Sequence, residues 1–389
     1  MYSKCEKIGF DAFVYAIYCA LIPLNMILNF TGSTINRYVG IVAAVFIGIK
    51  VIATKKQIVT SSKTIKIMLL FWIWCFCSYF WSADQESTLN WLITLTSVVA
   101  LCLVCCFRKF NSRELYLIKY AMMLSSAALV LFLAPNLAHS YTRGTLTTSA
   151  GTADQNSLAA NLVFALWIAI DLLKTSKGFF KFLCYASIIL VIVGLLFLSS
   201  RGAILALLIS LFVYIFILKK ARLNVGTIIL LTLACFIIVW ILGALEIVAY
   251  ERLSLQSILE DGATGRFGLW ISLINLFFDS NVFRAVFGYG FATEKYVCAL
   301  ATGIPRGAHS VFIEYLMTTG IVGEVLLLSL FGSTLSTANK RKDSIAFVLL
   351  ISLIVICIPL GFFLDKGAWN IIMLSMIGVE QQDSTPEQK

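Results

Sequence analysis

Runs of about twenty apolar residues, separated by short segments rich in lysine and arginine, fill most of this chain and leave few folds open to it. A helix needs roughly 20 such residues to cross the hydrocarbon of a bilayer, and only helices and closed barrels satisfy every backbone polar group there. Of the 389 residues, 60% are apolar and 13% charged, with a mean hydropathy of +0.93, a balance that excludes an ordinary soluble domain. Twelve spans can be drawn, at 10–30, 38–54, 65–81, 88–107, 115–134, 156–173, 180–199, 202–218, 226–243, 309–333, 345–364 and 367–380. The expected fold class is all-α: a polytopic membrane helix bundle of about 12 spans. Residues 1–380 are expected to form one transmembrane domain, with a polar tail at 381–389. No small-residue cleavage site follows Phe30, so the first run is expected to stay as an anchor.

Cytoplasmic segments collect lysine and arginine. With the N-terminus inside, the outer segments hold Arg37, Arg143, Arg201, Arg252, Arg266, Arg284, Lys295, Arg306 and Lys366. Lys50 and Lys119 fall within spans, and the rest of the 30 basic residues lie inside. The alternation supports twelve spans with both termini cytoplasmic. The formal net charge of +10 is mostly this topology signal and does not point to nucleic acid. Most outer basic residues are arginine and most inner ones lysine, which favours an anionic ligand outside, because guanidinium grips phosphate bidentately.

Two segments exceed ordinary loop length. Residues 135–155 contain Arg143 and lead into Asp154-Gln155-Asn156, which reads as a polar cap on span six. Residues 244–308 form a long outer loop, in which Glu251–Leu259 and Phe267–Phe278 fit interfacial helices and Gly288-Tyr289-Gly290 marks a turn. Most of the eleven cysteines sit in spans and read as small hydrophobes. Cys298 is alone on the outer side.

The residues able to carry chemistry gather at the outer face. Arg201, in Ser199-Ser200-Arg201-Gly202-Ala203, sits at the mouth of the hairpin joining spans seven and eight. It is either a snorkelling residue or, at this outer end, a ligand-binding one. Arg266 stands in the long loop, where a solvated charge is the ordinary alternative. His309 opens span ten and is the side chain best suited to accept a proton near neutral pH. Ser310 and Glu314 share a helix face at i, i+4 spacing, and Gly320 and Gly323 permit close packing. Glu324 and Lys119 lie deeper, as a relay or as a buried polar pair.

Taken in order, Ser200-Arg201-Gly202-Ala203, Gly265-Arg266 with Trp270, Gly288-Tyr289-Gly290, and His309-Ser310 before Gly320-Ile321-Val322-Gly323 resemble the O-antigen ligase and O-antigen polymerase superfamily. These are bacterial envelope glycosyltransferases using undecaprenyl-diphosphate-linked glycans. The likeness runs over about residues 140–335. It implies a type C glycosyltransferase-like fold in the bacterial inner membrane, with a periplasmic site and inverting transfer that needs no cofactor and no metal. Arg201 and Arg266 would neutralise the diphosphate, and His309 would deprotonate the attacking hydroxyl. Arg143, Asp154, Asn156, Tyr289, Ser310 and Glu314 would contact substrate. The implied partners are the lipid-linked glycan donor, a lipid-linked glycan or lipid A–core acceptor, membrane lipids and a chain-length regulator.

Asp154-Gln155-Asn156 is similar to the Asp-Pro-Asn stretch of the polymerases, which favours a polysaccharide polymerase. The His-Ser-x9-Gly-x-x-Gly pattern is shared with the ligases, so ligation of polymer to lipid A–core stays open. A transporter of lipid-linked sugars or ions is the alternative of another class. Its signature would be inverted repeats with broken helices, which the sequence does not display.

Overall fold

The computed structural model describes residues 7–24, 29–30, 33–54, 62–137, 145–148, 151–219 and 266–377. The fold is an all-helical membrane bundle. Its helices are α1 (Phe10–Leu24), α2 (Ile35–Thr54), α3 (Ser62–Cys77), α4 (Gln85–Cys106), α5 (Ser112–Leu137), α6 (Gln155–Leu173), α7 (Gly178–Leu198) and α8 (Arg201–Phe212). After residue 265 come α9 (Arg266–Asp279), α10 (Val282–Phe287), α11 (Glu294–Thr302), α12 (Val311–Lys340), α13 (Ser344–Cys357) and α14 (Lys366–Met376). Among the described residues, eight helices are long and apolar enough to cross a membrane, and α1 and α13 are shorter apolar helices. Two small antiparallel hairpins, Asn29–Phe30 with Ser33–Thr34 and Thr145–Thr148 with Gly151–Asp154, add to the expected helices. Span nine at 226–243 and the expected helix at 251–259 lie outside the described residues.

The apolar pattern decides which helices are central. Helix α6 is buried almost all round, from Leu158 to Ala169, as is α13, and a helix apolar on every side belongs inside. Helices α2, α7 and α8 instead turn Ile41, Val45, Ile49, Ile189, Leu205, Leu208 and Phe212 outward, as lipid-facing helices do. Lipid is as apolar as leucine, so packing and interhelical hydrogen bonds must hold such helices together. Trp167 Nε1 donates to Ser210 Oγ at 3.0 Å, and Tyr15 Oη to Asn370 Oδ1 at 2.7 Å. Each bond of this kind contributes roughly 0.6 kcal/mol.

The two ends of the bundle differ in chemistry. At one end Arg108 bridges Asp11 at 2.7 Å and Glu114 at 2.8 Å, and Lys119 pairs with Asp171 at 2.7 Å. Lys119 is thus partnered by Asp171, and the pairing of Lys119 with Glu324 is not formed. The opposite end carries the caps of α6 and α8, helices α9 to α11 and the start of α12.

Helix α12 is broken. Gly320 has φ +70° and ψ −175° in the middle of it, and the exposed carbonyls are taken up by neighbours. Tyr289 N–H donates to Met317 O at 3.1 Å and Gly290 N–H to Thr318 O at 2.8 Å, while Trp74 Nε1 donates to Thr319 O at 3.0 Å. The Gly288-Tyr289-Gly290 turn therefore docks main chain to main chain on the break. Continuing the stitch, Ala83 N–H donates to Tyr289 O at 2.8 Å and Thr88 Oγ1 to Phe291 O at 2.7 Å. The sequence reading placed Gly320 in a close-packed seam. The structure makes it a chain break instead, and Gly323 is the close-packing residue, with Trp74 3.1 Å from where a Cβ would stand. A broken helix is one mark of transporters, but here the break is filled by the protein's own loop.

A methyl group on Gly320 would meet the carbonyl of Val286 in a backbone conformation that side chains disfavour. Gly320→Ala is expected to destabilise the protein by about 3 kcal/mol or more. Thermal unfolding of the detergent-purified protein measures this, and an unchanged midpoint would contradict the docking role.

Candidate active site

A cavity of about 220 Å³ opens at the end of the bundle that carries the α6 cap. Its wall includes Asp154, Ser157, Glu294, His309, Glu314 and Gly361. The N-cap of the buried helix α6 forms part of that wall. Asp154 caps it by accepting Asn156 N–H at 3.1 Å and Ser157 Oγ at 2.8 Å.

His309 is held by its backbone. It takes φ +54°, an uncommon conformation for a residue with a side chain. Its N–H donates to Glu314 Oε1 at 3.2 Å, and Glu314 also accepts from the N–H of Ala308. Trp270 Nε1 donates to Ala308 O at 2.8 Å, tying the segment to α9. Glu314 fits because Gly361 has no side chain: a Cβ there would lie 2.8 Å from each carboxylate oxygen. Withdrawal of the ring from bulk solvent, then the charges of Arg266 and Arg306, hold the His309 imidazole below its ordinary pKa, with Asp154 opposing them. His309 is therefore mostly neutral near pH 7 and able to accept a proton. Burial raises the Glu294 carboxyl across the cavity, and it pushes Asp365, the N-cap of α14, up to about 6.

Beside the cavity, Asn156, Ser200, Gly202, Arg266 and Pro359 line a narrow cleft, and Leu360 borders both spaces. Arg266 Nη1 donates to Pro359 O at 2.6 Å, and Ser200 Oγ donates to Asn156 Oδ1 at 2.9 Å. Gly202 lets the α8 start approach Pro359, whose Cγ would be 2.9 Å from an added Cβ. The turn around Pro359 thus fastens Arg266, α8 and the cavity wall together.

Sequence reasoning carried span eleven through to residue 364 and missed this turn. Helix α13 ends at Cys357, because proline has no N–H to continue the ladder. Pro359 and Gly361 inside an apolar run were the available signal.

Of the expected site residues, Asp154, His309 and Glu314 share the cavity, and Asn156 and Arg266 the adjoining cleft. Arg201 is the first residue of α8, directly after the capping Ser200. Ser310 is buried as the N-cap of α12, and its carbonyl accepts Glu314 N–H at 2.9 Å. Tyr289 lies outside the cavity wall, its ring 4.9 Å from the Arg284 guanidinium. Arg143 lies outside the described residues. Phe267–Phe278 forms α9 as expected, with Leu269 and Leu273 buried and Phe267, Ile271 and Phe278 exposed, the pattern of an interfacial helix.

Residues 186–328 of the 389 match the Wzy_C family model, described as O-antigen ligase, a likeness of this segment that supports the O-antigen ligase and polymerase superfamily. The matched segment contains Arg201, Arg266, Gly288–Gly290, His309, Glu314 and Gly320, and it begins after Asp154 and Asn156. No curated protein matches the chain. The family supports a membrane glycosyltransferase of the ligase or polymerase type.

Proposed function

We propose that this protein is a surface-polysaccharide polymerase. It joins undecaprenyl-diphosphate-linked repeat units at the periplasmic face of the bacterial inner membrane. The acceptor hydroxyl attacks the anomeric carbon of the donor from the side opposite the diphosphate, so the new glycosidic bond is inverted. His309 takes the hydroxyl proton, and Arg201 and Arg266 balance the charge on the departing undecaprenyl diphosphate. Diphosphate is already a good leaving group, so orientation and charge stabilisation supply most of the acceleration.

The observation that carries this reading is the wall shared by His309 and the Asp154 cap, with Arg266 in the adjoining cleft. A neutral histidine beside guanidinium groups suits a base working next to an anionic leaving group. The Asp154–Asn156 stretch is the element that leans to the polymerase branch, and its Asp154 shares the cavity wall with His309. Deletion of the gene tests the choice. A polymerase mutant should carry surface lipid A–core bearing a single repeat unit. Unmodified core, with long polymer accumulating on the lipid carrier, would make the protein a ligase.

Glu314 then acts as a positioning residue, through the N–H of His309. Glu314→Ala leaves that donor unpaired and is expected to lower kcat about tenfold or more, with little change in KM for the lipid-linked donor. Glu314→Gln keeps an acceptor oxygen and should recover most of the activity. Equal loss in both variants would instead assign the carboxylate charge to the chemistry.

A further inference from the structure

At the other end of the bundle, between the start of α3 and the last turns of α12, lies a larger cavity of about 530 Å³. Lys63, Lys340 and Arg341 line it with Ser329, Ser333 and Ser336, and among the described residues no carboxylate does. Asp343, two residues from Arg341, is engaged as the N-cap of α13, accepting from Ile345 and Ala346 at 3.2 and 3.0 Å. Arg341 is fixed in place, with Nη1 donating to Ile377 O at 2.9 Å. Beneath the cavity Thr64 and Thr337 share a buried hydrogen bond of 3.3 Å, which sets the spacing of the two helices.

The field in this space is positive. The first turn of α3 contributes a positive helix end and the last turn of α12 a negative one, and these offset each other. Lys63 and Lys340 add their charges beside Arg341. Basic residues at this end serve topology in any membrane protein, but topology does not require that three of them line one cavity between two spans. On the flanks of the same helices, Leu70, Ile73, Val325 and Leu328 are exposed. The polar space therefore adjoins a lipid-facing surface, as basic pockets between transmembrane helices do when they hold lipid headgroups.

We propose that this cavity binds the phosphodiester headgroup of an anionic phospholipid from the leaflet at the basic end, with its acyl chains along α3 and α12. Lys63 and Lys340 pair with the phosphate, and Gly332 leaves the room. An added Cβ at Gly332 meets no heavy atom within 4 Å, so a larger side chain fills the space without disturbing the helix.

The test uses the full chain in detergent, with phosphatidylglycerol or cardiolipin as the probe and bound lipid read by native mass spectrometry. Lys63→Ala/Lys340→Ala and Gly332→Leu should each weaken retention on the order of tenfold. Lys66→Ala, an exposed lysine one turn from Lys63 and outside the cavity wall, should retain lipid as the parent does. Unfolding midpoints of the lipid-free proteins separate lost binding from lost folding. Equal retention in all four proteins would overturn the proposal. A second arm uses inorganic phosphate. Failure of phosphate to displace the lipid supports a phospholipid occupant. Displacement by phosphate, with stabilisation that Gly332→Leu abolishes, would overturn the lipid and assign the cavity to free phosphate.

Discussion

His309→Ala is expected to lower the rate of glycan transfer by about 10² to 10⁴, the usual contribution of positioned acid–base catalysis. Protein level should hold, because the imidazole faces the cavity while the fold around it is secured by backbone bonds to Glu314 and Trp270. The pH profile adds a signed expectation. A general base must be neutral, so the rate should fall as pH drops through the His309 pKa, and local burial and the arginine charges set that pKa below the ordinary imidazole value. The acid limb should therefore lie on the acid side of a free histidine's. A limb on the alkaline side would mean that carboxylate attraction outweighs burial. Wild-type turnover by purified His309→Ala would remove the residue from the chemistry.

Arg201→Lys should lose nearly as much activity as Arg201→Ala, on the order of 10² or more, although it keeps the charge. Removing one preorganised donor at a developing charge has that effect, and an ammonium cannot reproduce a planar two-pronged contact to diphosphate. The α8 cap is made by Ser200, which also binds Asn156, so the helix start does not depend on residue 201. Polysaccharide ladders from a deletion strain complemented with each variant measure the effect. Near-normal ladders from the lysine variant would reduce Arg201 to a topology residue.

Much of the architecture was legible because its signals are local. Apolar runs and alternating basic segments give the spans, and Asp154 announces the start of α6 by its side chain alone. The end of span eleven was misplaced because Pro359 sits within a run whose hydropathy never drops. Gly320 read as a packing glycine because nothing nearby in sequence reveals that residues 288–290 will occupy a break there. That contact is tertiary, and a glycine at positive φ looks like any other glycine in a sequence. For Glu314, the helical spacing put the carboxylate on one face with Ser310, and the structure sets it in the cavity wall with His309. Its partner, the N–H of an unusually folded His309, depends on a turn that spacing alone does not encode. Tyr289 was linked to substrate through the resemblance carried by Gly288-Tyr289-Gly290; those residues dock main chain on the break, and the ring packs on Arg284.

The most direct test of the account is a reconstitution with one glycan substrate. Purified protein in vesicles would be given a single undecaprenyl-diphosphate-linked repeat unit and no other acceptor. A ladder of lipid-linked oligomers is expected, with one undecaprenyl diphosphate released for each bond formed and no ladder from His309→Ala. Absence of product until lipid A–core is supplied would contradict it and make the protein a ligase.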